Sequence, residues 1–499
     1  MTLLEAEVHK SLRDFLRGQK DNYWPHHLTM ARLVSRSLRL KCSALIQTGS
    51  SLTRYCLSYL TPALISEEPV CLVVPLTIQN WLFVEAIPQL QKSLFTNKPI
   101  SLDYLDSSTG LGITSTAFWL NDRLFNPNPV FPPTTLTLID QADQLEDSLR
   151  ELLSLQISPQ DWLNLLETFP SSQERINSLR IKLIYSIFAH PENPYNCHLF
   201  DDIEYRYLME LLLYLKSLSP LPTIWEKFQQ QAQSSNYTIS AIVDRQRGSF
   251  TLQTTPLEVS SILSNILSQQ PVVLMGGFLD AQKDANLYRS SLGLGNILSV
   301  TFYPNRQTEQ INLYLPNHMP LPNTPEFQGV LLKEISRLIK LVTTNQKPIV
   351  ILVEDVPLKA QIAAILAAEF GSRVQVEKKG THLECIVISS WSFWLTQQED
   401  FPVPELLIMA TLPLPSPENP LVAAQISYYK KQKQDWFRLY LLPQALKTIQ
   451  RAVMPLRESQ GMVALLDSRV LRRSYGTQIL ESLSPYARIN YLDKEMLLL

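Results

Sequence analysis

Glycine is scarce in this chain: 14 residues in 499, beside 34 prolines. Few glycines leave few positions where the backbone can turn left-handed or wrap its N–H groups around a phosphate. That weighs against a nucleotide-hydrolysing machine with several glycine-dependent loops. Cysteine is sparse too. Cys42, Cys56, Cys71, Cys197 and Cys385 are scattered, none in C-x-x-C spacing, and their number is odd. This argues against a disulfide framework and against a zinc or four-cysteine iron–sulfur site. No run of 18 apolar residues occurs, so no membrane span is expected. Neither sign of charge dominates: Lys and Arg total 44, Asp and Glu 46, and the net charge is −2. A nucleic-acid surface must then be a local patch. The opening MTLLEAEVHKSLRDFL is amphipathic and charged throughout, unlike a secretion signal. A soluble, cytoplasmic protein is expected.

What is present is core-forming material. At 45% hydrophobic, the chain can fill about two to four domains. "SALIQTG" predicts a strand and "LTRYCLSYLTPALI" a helix after it. "PVCLVVPL" is a continuous apolar run, as in a parallel strand buried on both faces, and "TLTLIDQADQLED" is a further buried strand that ends in acids. This alternation predicts an α/β domain of parallel strands. From Leu145 helical periodicity takes over. Strand character returns at "YTISAIVDRQRGSFTLQTTP" and "QPVVLMGG". A second α/β unit follows, with strands at "KPIVILVED", "LECIVISS", "ELLIMATLPL" and "GMVALLD". The expected division is 1–144 for the first part of one α/β domain, 145–235 for a helical insertion, 236–280 for the return to the first domain, and 281–499 for the second.

The motifs near the C-terminus carry a resemblance. "LPLPSPENP" (Leu412 to Pro420) is followed by Phe437, Tyr440, Pro443 and Ala445 in an F-x-x-Y-x-x-P-x-A pattern. Then come a strand reading GMVALLDSR (Gly461 to Arg469) and the pair Tyr475-Gly476. In order and spacing this stretch resembles the second motor domain of superfamily 2 helicases of the DinG/XPD type. Upstream, Ser392, Phe393 and Trp394 fit a fainter family segment, and "SLGLGN" (Ser291 to Asn296) fits another. The resemblance implies two RecA-like domains of P-loop NTPase type, ATP with Mg²⁺ as cofactor, and DNA, single-stranded or duplex, as partner.

The chemistry that the resemblance implies is broken at three places. "YLTPAL" (Tyr59 to Leu64) matches the segment after the family's Gly-Lys-Thr. Counting back puts the phosphate-binding lysine at Tyr55 and the Mg²⁺-binding hydroxyl at Cys56. Gly49, Ser50, Ser51, Thr53 and Arg54 are the remaining candidates for a nucleotide loop. A one-residue slip would put Arg54 at the lysine, but a bulky guanidinium is a poor copy of that point charge. "LIDQADQLED" stands where the family has Asp-Glu-Ala-His. Asp140 is kept, the catalytic glutamate is Gln141, and the histidine is Asp143. Glutamine cannot act as a general base. In "QRAVMPLRESQG", Gln450 and Arg457 match the arginine motif, whereas its glycine is Val453 and its first arginine Met454. Arg457 is either a remnant arginine finger or an interface or surface arginine. The family's iron–sulfur cluster lacks its ligands, because the helical insertion holds only Cys197.

For nucleic acid, Lys430, Lys431, Lys433 and Arg438 are interleaved with aromatics on an expected helix, and Arg472 and Arg473 could extend that patch. Trp394, with Trp391 and Phe393, either stacks on bases or packs in the core. His26 and His27 read as residues at a helix start. No metal site is expected from the sequence. The resemblance taken alone implies an active ATP-dependent DNA helicase. The substitutions point instead to a DinG-like homologue without ATPase or unwinding activity, binding nucleic acid or a protein partner in DNA maintenance. The near-neutral charge favours a third reading, a protein–protein adaptor with no nucleic-acid contact.

Overall fold

The structure, a computed structural model, describes residues 3–18, 24–105, 109–342, 347–378 and 384–489. Two seven-stranded parallel sheets dominate it. The chain lays down β1 (Ala44–Gln47), β2 (Val70–Val73), β3 (Ile100–Leu102), β4 (Leu111–Thr114) and β5 (Leu136–Ile139) of the first sheet. It then leaves for an inserted unit with β6 (Leu155–Ile157), β7 (Cys197–Leu199), β8 (Tyr237–Asp244) and β9 (Ser249–Pro256). It returns with β10 (Val272–Gly276) and β11 (Leu298–Thr301), which complete the order β11-β1-β10-β5-β2-β4-β3.

Both faces of this sheet are covered, which is why its strands read as unbroken apolar runs. Alternate side chains serve opposite layers. Ala44, Ile46, Val70 and Leu72 pack to one side, and Leu45, Cys71, Val73 and Ile139 to the other. The second sheet holds β12 (Ile311–Tyr314), β13 (Ile349–Leu352), β14 (Val374–Val376), β15 (Ile386–Ser389), β16 (Leu406–Met409), β17 (Met462–Leu465) and β18 (Tyr486–Ile489). Its order is β14-β15-β13-β16-β17-β12-β18, and it divides its side chains in the same way.

The expected boundaries shift at two places. The first sheet reaches past residue 280, because β11 pairs with β1 from Ala44↔Leu298 to Gln47↔Thr301. This edge strand is only partly buried, so it sends no strong apolar signal. The insertion is helical over most of its length but is built on a sheet of its own, ordered β6-β9-β8-β7 and antiparallel throughout. The hairpin β8–β9, expected in the return to the first domain, turns at Gly248 (φ +61°) and shares a core with Trp162, Leu208, Leu212, Trp225 and Phe228 of the insertion helices. Among the described residues no helix is long and apolar enough to cross a membrane.

Candidate functional site

In an open parallel sheet, ligands bind beyond the carboxyl ends of the strands. Here the turns after β1, β5 and β10 converge there, facing helix Leu442–Glu458 of the second domain. The turn after β1 is Thr48–Ser51. Gly49 adopts φ +61°, and a Cβ on it would lie 2.7 Å from the Phe302 carbonyl oxygen, so only glycine fits. The N–H groups of Thr48 and Gly49 donate to the carbonyls of Gly276 and Gly277 at 2.8 and 3.0 Å. These donors serve the neighbouring turn and do not face the cleft.

Tyr55, at the expected lysine position, is 1% exposed. Its hydroxyl donates to Asp140 Oδ1 at 2.5 Å, and the Gln141 N–H donates to the same oxygen at 2.7 Å. Burial first, then the Asp140 charge, pushes the Tyr55 phenol well above its ordinary value. Burial also pushes the Asp140 carboxyl up to about 6, against the pull of the Tyr55 and Tyr59 hydroxyls and the Gln141 N–H. Burial pushes the Cys56 thiol up as well, so the residue at the hydroxyl position stays a neutral thiol. Gln141 sits in the left-handed region (φ 50°) and accepts from Gln144 Nε2 at 2.8 Å. The arrangement does not fit Mg²⁺ with a triphosphate. A phenol stands where the ammonium would be, and it is bonded to the one carboxylate that would hold the ion.

The Asp140 geometry has a measurable consequence. Between about pH 4, where an exposed aspartate titrates, and about 6, the folded chain keeps a proton that the unfolded chain has lost. Stability therefore falls as pH rises through that window, by on the order of 2 kcal/mol. Asp140→Asn should remove that fall, read as urea unfolding free energies at about pH 4.5 and about pH 7. An equal fall in both proteins would contradict the burial of a titrating carboxyl here.

Arg54 does not face open space. Its guanidinium pairs with Glu309 and lies 3.6 Å from Glu458, which also accepts from Ser51 Oγ at 3.1 Å. On the other side of the cleft, Asp143 Oδ2 lies 3.9 Å from Lys447 Nζ and 3.8 Å from Arg451 Nη1. Lys447 also donates to the Asp143 carbonyl. Between the domains lies a cavity of about 570 Å³. Asp143, Asp147, Glu151 and Glu399 line it, with Arg451 as the opposing cation. Such a lining repels a polyanion.

Arg457 is neither a finger nor a surface residue. It is 1% exposed and is enclosed by the turn before β18 and the entrance of β12. Its guanidinium donates to the carbonyls of Leu483 (3.0 Å), Ser484 (3.2 Å), Glu309 (3.3 Å) and Pro485 (3.4 Å). Burial pushes it down to about 10. Met454, at the first arginine position, lines the cleft. Gln450 is buried and donates to the Ser482 carbonyl. Thr53 offers its carbonyl to Cys56 Sγ.

Trp394 does not offer a stacking face. It is 1% exposed, its Nε1 donates to the Ala452 carbonyl at 3.1 Å, and its ring meets Phe401 edge-on. Trp391 is buried as well. The basic residues do face solvent. Lys430, Lys431, Lys433, Arg438, Arg472 and Arg473 are all exposed. The expected single helix over Tyr428 to Tyr440 is interrupted. It ends at Lys431, Lys433 turns left-handed (φ 56°), and a π-helical turn spans Phe437–Leu441. Phe437 packs on Tyr475 with ring centroids 4.9 Å apart. That contact brings the segment of Lys430 to Arg438 beside the segment of Arg472 and Arg473.

His27 is buried and its Nδ1 lies 2.8 Å from Ser58 Oγ. In the insertion, His190, Asp201 and Glu204 bring possible metal-ligand atoms within 4.8 Å of one another. Asp201 and Glu204 already form a capping box at a helix start, where the helix dipole opposes a cation. Sequence reading missed Glu309, Glu458, Lys447 and Arg451. The first two carry no local signal. Lys447 and Arg451 stand four apart on one helix and so share a face, which spacing could have flagged.

Residues 400–486 match the family model described as the helicase C-terminal domain. The chain is 23% identical over 252 residues to the ATP-dependent DNA helicase YoaA of Escherichia coli (strain K12), covering 48% of this chain and 40% of that protein. It is 21% identical over 309 residues to the ATP-dependent DNA helicase DinG of Photobacterium profundum, covering 56% and 44%. The match thus spans about two fifths of the length of these curated relatives. Among solved structures, Xpd4 of S. tokodaii shares the fold with a TM-score of 0.61 at 14% identity, covering 93% of this chain and 100% of that one. A structure titled XPD helicase gives 0.61 at 12%, covering 94% and 100%. In sequence this chain is thus similar to the DinG and YoaA helicases, with a match to the helicase C-terminal domain, and in fold it is similar to XPD.

Proposed function

We propose that this chain neither hydrolyses ATP nor unwinds DNA, and acts as a nucleic-acid-binding protein built on a DinG/XPD-type motor pair, with a role in DNA maintenance. The observation that carries the reading is the Tyr55–Asp140 hydrogen bond at 2.5 Å. It joins two positions that hydrolysis needs as an ammonium and as a metal ligand. Gln141 and Met454 remove the water-positioning acid and an arginine. Each such group supplies about 3–4 kcal/mol at a transition state, so their joint loss leaves no fast route. Arg54 is no substitute lysine, since it is engaged by Glu309 and Glu458.

The exposed basic residues on either side of the Phe437–Tyr475 contact support the binding half of the reading. Its test is single-stranded DNA affinity across a salt series, read by fluorescence anisotropy. Each phosphate contact adds about 0.7 to the slope of log K against log salt for a single strand. Changing Lys430, Lys431 and Lys433 together to Glu should weaken binding and reduce the slope by about 2. Absence of salt-sensitive binding by the unchanged protein would leave the adaptor reading in its place.

A further inference from the structure

We propose that the two motor domains are latched shut by charged side chains in the former nucleotide cleft, so that closure needs no ligand. This goes beyond the loss of hydrolysis, since a chain that binds no nucleotide could still open and close.

Two points of attachment join the first domain to one helix of the second. At one, Arg54 and Ser51 of the first domain hold Glu458, and Arg54 also holds Glu309 just ahead of β12. At the other, Asp143 of the first domain meets Lys447 and Arg451. Lys447 and Glu458 both lie in helix Leu442–Glu458, about 16 Å apart along its axis. A rigid helix held at two such points cannot swing about either one. The polarity also reverses between the points. A cation of the first domain meets anions at one, and an anion meets cations at the other. Sliding the helix or tilting the domains unpairs both sets, so the arrangement fixes orientation as well as closure.

Burial separates the Arg54–Glu309 and Lys447–Asp143 pairs from ordinary surface ion pairs, which contribute little; Glu458 is 42% exposed and adds orientation more than energy. The side chains of Glu309 and Asp143 are 4% and 7% exposed, and those of Arg54 and Lys447 are 18% and 17% exposed. Coulomb attraction is stronger at such partly buried sites than in open water, so opening the cleft gives up more than it would at a surface pair. A third tie lies outside the cleft, where Gln425 Nε2 of the second domain donates to the Leu257 carbonyl beside the insertion. In a nucleotide-driven motor the ligand's phosphates bridge the two domains and closure follows binding. Here protein charges make the bridge.

The test is single-molecule energy transfer on the full chain, with dyes on Val84→Cys in the first domain and Val376→Cys in the second, both exposed positions. The half-buried Cys42 and Cys197 are changed to serine. The expected result without ligand is one high-transfer population, unmoved by ATP with Mg²⁺. Asp143→Arg, which sets three cations together, should add a low-transfer population. Adding Lys447→Glu and Arg451→Glu to that variant should abolish it. Two exchanging populations in the unchanged protein, or a shift on adding ATP with Mg²⁺, would overturn the latch, and neither arm needs a charge variant. A folded Asp143→Arg variant that stays closed, or a charge-swapped variant that stays open, would overturn it too. If Asp143→Arg does not fold, Lys447→Glu with Arg451→Glu, which sets three carboxylates together, reads the same attachment from the second domain and should add the low-transfer population. ATP turnover would defeat the proposed function without touching this result.

Discussion

Arg457→Ala is expected to cost about 3–5 kcal/mol of folding stability, the range for stripping one partner from a buried charged network. The side chain is 1% exposed and its guanidinium satisfies four backbone carbonyls, those of Glu309, Leu483, Ser484 and Pro485. Those oxygens belong to the entrance of β12 and to the turn before β18, the two neighbouring strands at one edge of the second sheet. Removing the planar fork leaves several buried acceptors without donors at once. Arg457→Lys should recover only part of the loss, because one ammonium cannot span that fan of carbonyls. Urea unfolding with tryptophan fluorescence reads both variants. An arginine kept for a transition state would leave the unfolding midpoint unchanged on removal, and that result would return Arg457 to a catalytic role.

Tyr55→Ala is expected to cost a similar amount, about 3–5 kcal/mol, as for other buried aromatic side chains truncated to alanine. The ring packs among Trp24 and Tyr59, and its hydroxyl donates to a fully buried carboxylate. Tyr55→Phe separates the two effects. It keeps the ring and removes one donor from Asp140, at about 1–3 kcal/mol. A working nucleotide loop behaves differently, since its lysine faces solvent or ligand and can be removed at little cost to the fold. Near-neutral unfolding free energies for both variants would mean that Tyr55 does not plug the site.

Much of the fold was legible because buried parallel strands advertise themselves. "PVCLVVPL", "KPIVILVED" and "ELLIMATLPL" became β2, β13 and β16. The edges were not legible. β11 is a half-exposed strand whose partner lies about 250 residues earlier, and no local pattern encodes that pairing. β6 and β7 are three residues long and find their places only through β9 and β8. In the cleft, the positions at fault were legible one by one. Counting back from "YLTPAL" found Tyr55, and the acid run after β5 showed Asp140 and Gln141. That Tyr55 and Asp140 bond to each other across 85 positions was not. Neither was the direction of Arg457, which a helical motif places on a cylinder without saying which neighbour closes over it. Trp394 shows the same limit. An aromatic in a segment that only faintly resembles a family motif can serve a base or a core, and the Ala452 carbonyl opposite its Nε1 decides for the core.

The most direct measurement is ATP binding and hydrolysis by the purified full chain, with and without single-stranded DNA, beside Arg54→Ala. With Tyr55 on Asp140 and Arg54 held by Glu309 and Glu458, the expected result is no DNA-stimulated turnover and no difference in background between the two proteins. Turnover that rises with DNA and vanishes in Arg54→Ala would contradict it and make Arg54 the lysine's working replacement.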